Sequence, residues 1–149
     1  MKKFTTIILL SLLIMSMSLS SCDNDDSPNG NYNVEAQIDG TAWKGSGNSQ
    51  VVAVAGITST SIAAGASDRS AFSITIMDDK PGNYPLANVA SYTDSNQTVY
   101  MATSGSMVIT KFEGNQISGT FSFTARPALG TGNGITIAEG KFTNVNVRR

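Results

Sequence analysis

Gln116-Ile117-Ser118-Gly119-Thr120-Phe121-Ser122-Phe123-Thr124-Ala125 decides the fold. Ile117, Gly119, Phe121, Phe123 and Ala125 fall on one side, and Ser118, Thr120, Ser122 and Thr124 on the other. This is the period-2 pattern of a strand with one face in a core and one in water. Outward from it, Glu113-Gly114-Asn115 reverses the chain. Residues 99–103 and 107–112 read as two strands pairing across Ser104-Gly105-Ser106. Downstream, the glycine-rich stretch 127–134 is a strand connection, because no helix pattern or lysine follows it as a phosphate-cradling loop would need. Residues 135–147 form a closing strand, with a bulge expected at Gly140.

The same pattern recurs upstream. Val34, Ala36 and Ile38 alternate with Glu35, Gln37 and Asp39, and Asp39-Gly40 marks a tight turn. Ala42-Trp43-Lys44 begins the return strand, residues 45–50 read as loop, and 51–57 is a continuous apolar run expected to be buried on both faces. Residues 58–66 are β-prone but weakly patterned, whereas Phe72, Ile74 and Ile76 alternate cleanly. Residues 78–82 form a turn, 84–86 a short extended piece, and 88–97 a loop with a brief strand at 91–93. No helix of ordinary length follows the leader. The fold expected is all-β, an antiparallel β-sandwich or flattened β-barrel of about 8–10 short strands.

The N-terminus is different in kind. Lys2 and Lys3 precede a mostly apolar run, densest over residues 7–17, that is too short and serine-broken to span a ~30 Å hydrocarbon core. It fits a signal-peptide core. Leu19-Ser20-Ser21-Cys22 resembles a bacterial lipobox, making residues 1–21 a lipoprotein signal peptide and Cys22 the lipidated mature N-terminus. Cys22 is the only cysteine, so no intramolecular disulfide can form, and lipidation accounts for an unpaired thiol in an exported chain. Asp23, Asp25 and Asp26 resemble the acidic surface-export signal of lipoproteins in the Bacteroidota. Residues 22–33 read as a disordered acidic tether of about 40 Å at full extension, at ~3.3–3.6 Å per residue. Residues 34–149 are left as a single β-domain. The expected address is the outer membrane, lipid-anchored, with the cell surface favoured over the periplasmic leaflet.

Composition narrows the chemistry. Loss of Lys2 and Lys3 with the leader leaves eight basic residues against eleven acidic, a formal charge of −3, and no basic patch for nucleic acid. Histidine is absent and the one cysteine is committed to lipid, which excludes His/Cys zinc sites, Ser-His-Asp triads and Cys-His dyads. No enzyme, metal or cofactor is implied.

Four segments also resemble a family: Ile38-Asp39-Gly40-Thr41-Ala42-Trp43-Lys44, Gly82-Asn83-Tyr84-Pro85-Leu86, the stretch 117–125, and Glu139-Gly140-Lys141-Phe142-Thr143-Asn144-Val145. Together they look like small uncharacterised lipoproteins of the Bacteroidota that carry a domain of unknown function. The resemblance implies fold and location and transfers no catalytic residue.

Candidate ligand-binding residues are the aromatics Trp43 and Tyr84, which could stack on a sugar face. A lone Trp beside a turn more commonly caps a core. Asp78 and Asp79 with Asp94 lack any known calcium-loop spacing. Asp39, Asp94, Glu113 and Glu139 are the isolated carboxylates from which a hydrolase pair would have to come. The reading is a lipid-anchored, non-catalytic binding module whose ligand is a glycan or an envelope protein. Its alternatives are a lipocalin-like carrier of a small apolar ligand and, after that, a carboxylate-dependent hydrolase.

Overall fold

The structure is a computed structural model describing residues 32–149. The expected signal peptide, Cys22, Asp23, Asp25, Asp26 and nearly all of the expected tether lie outside the described residues. Asn33, the tether's last residue, lies within them. Its carboxamide accepts from Gly47 N–H at 2.6 Å and donates to Gly47 C=O at 3.1 Å, and its carbonyl accepts from Thr143 N–H.

Nine strands follow in order: β1 (Val34–Ile38), β2 (Thr41–Val54), β3 (Ile57–Gly65), β4 (Ala71–Ile76), β5 (Gly82–Pro85), β6 (Ala90–Thr93), β7 (Val99–Glu113), β8 (Gln116–Pro127) and β9 (Ile135–Arg148). No helix occurs among the described residues. The sheet runs β7-β6-β4-β3-β2-β1-β9-β8 and returns to β7, closing an eight-stranded barrel. β5 is the extra strand, paired with the second half of β7 beyond the point where β6 stops. Between the expected alternatives, closure selects the barrel over the sandwich, and it removes most of the free edges an open sheet would present. Every pairing is antiparallel except β2 with β9, which meet in parallel at Asn48↔Asn146 to Gln50↔Arg148 because β1 is too short to separate them.

Several local expectations change. Residues 45–50 are strand, not loop, and belong to a 14-residue β2. Their inward positions are Gly45 and Gly47, whose missing side chains leave room for the Trp43 ring and for Val34. Residues 51–57 are not buried on both faces: Val51 is buried, but Val52, Val54 and Ile57 are exposed at the end of the β2–β3 hairpin. Ser104-Gly105-Ser106 is not a turn. β7 runs through it for 15 residues, with a bulge at Thr103 and Gly105 at φ +137° against Phe123, a conformation only glycine takes easily. The bulge in β9 falls at Glu139 (φ +51°), one residue before Gly140, and a second occurs at Asn144 (φ +48°).

An eight-stranded barrel is just wide enough for side chains to fill, and here they do. Phe72 packs edge-on against Trp43, Phe121 and Phe123 at centroid distances of 4.6, 5.4 and 6.2 Å, and Tyr92 is tilted on it at 4.9 Å. Two cross-strand pairs tighten the β8–β9 wall: Gly119 faces Phe142, and Phe121 faces Gly140. A methyl on Gly119 would lie 2.6 Å from Phe142 Cζ, and one on Gly140 would lie 2.5 Å from Phe121 Cδ2. Each ring therefore occupies the space its partner glycine vacates. Beside Gly119 and Gly140 the interior is filled by the rings of Phe142 and Phe121.

Candidate functional site

With the barrel interior packed, its outer wall holds the accessible chemistry. β8 turns Ser118, Thr120, Ser122 and Thr124 outward because its alternate residues are committed to the core. Register places Ser122 beside Ser106 and Thr120 beside Val108 on β7, with Lys141 beside Thr120 on β9. A groove of about 340 Å³ lies along this wall, lined by these five residues together with Glu139. Its floor is Val108 and the backbone over Phe121 and Gly140. The bulge at Glu139 turns its carboxylate onto the wall, where it accepts a hydrogen bond from the Gln37 side chain. At one end of the groove the hydroxyls join: Thr124 meets Ser104 at 2.8 Å and Thr103 at 3.1 Å. At the other end Ser118 accepts from Asn144 N–H at 2.8 Å. The site offers hydroxyl donors and acceptors, one anionic group and one cationic group, all open to solvent.

Trp43 and Tyr84 are not brought together. Trp43 is 7% exposed, packs inside the barrel on Phe72, and donates its indole N–H to Ser70 Oγ at 2.7 Å. Ser70 in turn donates to Asp68 Oδ1 at 2.5 Å, and these bonds with Ser70 hold the Asp68 carboxyl below its ordinary value. Tyr84, on β5, is half-buried and lines a second, apolar groove of about 250 Å³ with Met77, Pro85 and Val89. Its hydroxyl donates to the Lys80 carbonyl at 2.7 Å, and burial, ahead of the neighbouring Asp78, raises its pKa. β5 bonds β7 through its even-numbered residues, as the Leu86 N–H to Gly105 C=O bond shows. Pro85 therefore stands on the free edge, where its missing N–H leaves no donor for another strand.

Two of the isolated carboxylates, Asp39 and Asp94, are bonded to backbone in turns and strand ends. Asp39 accepts from Thr136 N–H at 2.7 Å. Asp94 accepts from Asn96 and Thr98 N–H in the β6–β7 turn, at the opposite end of β4 from Asp78 and Asp79. Among the described residues no group of three or more His, Cys, Asp or Glu could hold a metal ion. The enclosed serines Ser49 and Ser70 face inward, out of a substrate's reach. Of the groove residues the sequence singles out only Glu139, as an isolated carboxylate; Ser106, Thr120, Ser122 and Lys141 carry no site signal of their own. The outward side of residues 118–124 was legible, but not the β7 and β9 residues that register sets beside it.

A family model described as "Domain of unknown function (DUF6252)" matches residues 31–146. The chain belongs to the DUF6252 family. That match spans β1 through most of β9, so the DUF6252 domain is this barrel with its extra strand, and it contains the whole groove. No curated protein and no solved structure shows significant similarity to the chain.

Proposed function

We propose that this DUF6252 protein is a lipid-anchored envelope lipoprotein of the Bacteroidota whose barrel is a non-catalytic binding module. It binds on its outer β7–β8–β9 wall, and its ligand is a glycan laid along β8. The observation that carries this is the outward hydroxyl row of Ser118, Thr120, Ser122 and Thr124, bordered by Ser106, Glu139 and Lys141 around one groove. Such a row can exchange many weak hydrogen bonds with a polyhydroxylated chain, and Val108 offers an apolar floor for a sugar face. The interior supports an external site rather than a carrier's cavity, since rings fill the space beside Gly119 and Gly140. The lipobox at Cys22 and the acids Asp23, Asp25 and Asp26 support anchoring at the outer membrane and display at the cell surface.

The test is NMR titration of isotope-labelled residues 22–149 against a panel of envelope and host glycans. Shifts gathered on Thr120, Ser122 and Lys141 for one glycan, abolished by Ser122→Arg, are the expected result. Shifts confined to inward-facing residues would overturn the site. Turnover lost on replacing Glu139 would overturn the non-catalytic reading.

A further inference from the structure

We propose that the β2–β3 hairpin tip is a membrane-contacting element that dips into the interfacial layer of a lipid bilayer. β2 loses its β9 neighbour after Gln50↔Arg148, and β3 gains β4 only from Thr60↔Ile76. Residues 52–59 therefore project as a two-stranded ribbon beyond the barrel. An isolated hairpin is marginal in water, and this one carries its apolar groups outward. Residues 51–57 read Val-Val-Ala-Val-Ala-Gly-Ile without one polar side chain, and Val52, Val54 and Ile57 are 43%, 66% and 66% exposed.

The turn itself points the same way. Ala55 and Gly56 have φ of +52° and +82°, nearly the values of Asp39 and Gly40 (+48° and +82°) in the β1–β2 turn. Such two-residue turns favour Asn, Asp or Gly at the first position. The β1–β2 turn has Asp there, whereas the exposed tip has alanine in a strained conformation and remains wholly apolar.

Strand direction supplies the occupant. Val34 pairs with Gly45 and Asn33 is bonded to Gly47, so the chain enters β1 from the end where the ribbon projects. The tip lies seven residues past Gly47, about 23 Å at ~3.3 Å per residue. Residues 22–31 can span at most about 33–36 Å. A lipid on Cys22 and the ribbon tip can therefore meet one bilayer surface, and the short tether keeps the tip at high local concentration. Arg148 stands at the ribbon's base, placed to meet lipid phosphates, while Arg149 lies over the Phe112 ring and donates to the Gly114 carbonyl. Lys80 and Lys111 share this end with Asp78, Asp79 and Glu113, so the charge there is mixed and the apolar tip makes the contact. The ribbon's unpaired backbone groups limit its depth to the head-group region, where water still bonds them.

This inference rests on the proposed anchor for its source of membrane, and the experiment supplies that anchor chemically. Among the described residues every core residue lies between Val34 and Val147, so residues 22–149 keep that core entire. The lone Cys22 thiol is coupled to a maleimide lipid in vesicles of phosphatidylethanolamine and phosphatidylglycerol containing brominated acyl chains. Val54→Trp provides a reporter at the tip, and Leu129→Trp one in the β8–β9 loop at the opposite end. Emission from the Val54→Trp reporter should fall about twofold or more, with the Leu129→Trp reporter and buried Trp43 unaffected. Val54→Ser with Ile57→Thr, which removes apolar surface without adding charge, should weaken vesicle binding of the uncoupled chain about tenfold or more without lowering its stability. Quenching of neither reporter, or of Leu129→Trp alone, would overturn the proposal while leaving acylation of Cys22 in the cell untouched. Tip-dependent self-association of the uncoupled chain, with no quenching, would assign the ribbon to a second copy instead and also overturn it.

Discussion

Replacing Gly140 by alanine tests whether the paired rings and glycines hold the β8–β9 wall together. The new methyl would sit 2.5 Å from Phe121 Cδ2, 2.6 Å from Cε2 and 2.5 Å from the Phe121 carbonyl oxygen, all well inside contact distance. The carbonyl cannot rotate away, so the strands must part or the ring must move into Phe72, whose centroid is 5.4 Å distant. Overpacking of this kind costs about 1–3 kcal/mol, less about 0.4–1 kcal/mol regained from the stiffer unfolded chain. Phe121→Leu alone removes ring atoms from a site only 4% exposed and should cost about 1–2 kcal/mol, below the 3–5 of truncation to alanine. If the ring fills the glycine's space, the double variant loses less than the two singles together, by about 0.5–1.5 kcal/mol. Urea unfolding of the four proteins, with unchanged slopes, measures the cycle. Additivity within about 0.3 kcal/mol would refute the reasoning, because the alanine methyl would then not be contending with the ring.

The turn at the exposed hairpin gives a second prediction: Ala55→Asn should raise stability by about 1 kcal/mol in thermal melts, since asparagine accepts positive φ with less strain. No gain would mean the alanine conformation is unstrained. The third concerns acid. Ser70 bonds hold the Asp68 carboxyl below its unfolded value of ~3.9, so their stabilisation is complete above that value and is lost as pH falls through the folded one. Asp68→Asn should therefore be less stable than the parent near neutrality and flatter below about pH 4. Parallel stability curves across that range would remove the bond's electrostatic role.

The strands that showed in the sequence are those whose faces differ in polarity. Residues 116–125, 71–76 and 34–38 alternate because one side meets the core and the other water, and each forms a strand in the structure. Residues 45–50 hid their strand because Gly45 and Gly47 supply space rather than bulk, and the bulk comes from Trp43 and Val34. Residues 51–57 misled in the opposite direction, since an apolar run can mark a projecting tip as well as a core. Ser104-Gly105-Ser106 has the composition of a turn, but pairing with β6 before it, β5 at its end and β8 throughout keeps β7 one continuous, bulged strand, information no local window contains. Glycine stands two residues before an aromatic at both Gly119/Phe121 and Gly140/Phe142. In the structure this is one reciprocal register, in which each aromatic covers the other strand's glycine. For the groove, sequence disclosed the outward row of β8, and only the pairing of distant strands brought Glu139 and Lys141 beside it.

The claim on which location and function both depend is that this barrel is held to the envelope by lipid at Cys22. Intact-mass and peptide mass spectrometry of the protein from its native membrane measures it directly. The account predicts a mature chain beginning at Cys22 and carrying two or three acyl chains, with Cys22→Ala unacylated and released to the soluble fraction. A free Cys22 thiol on a chain that retains residues 1–21, or that begins elsewhere, would contradict it.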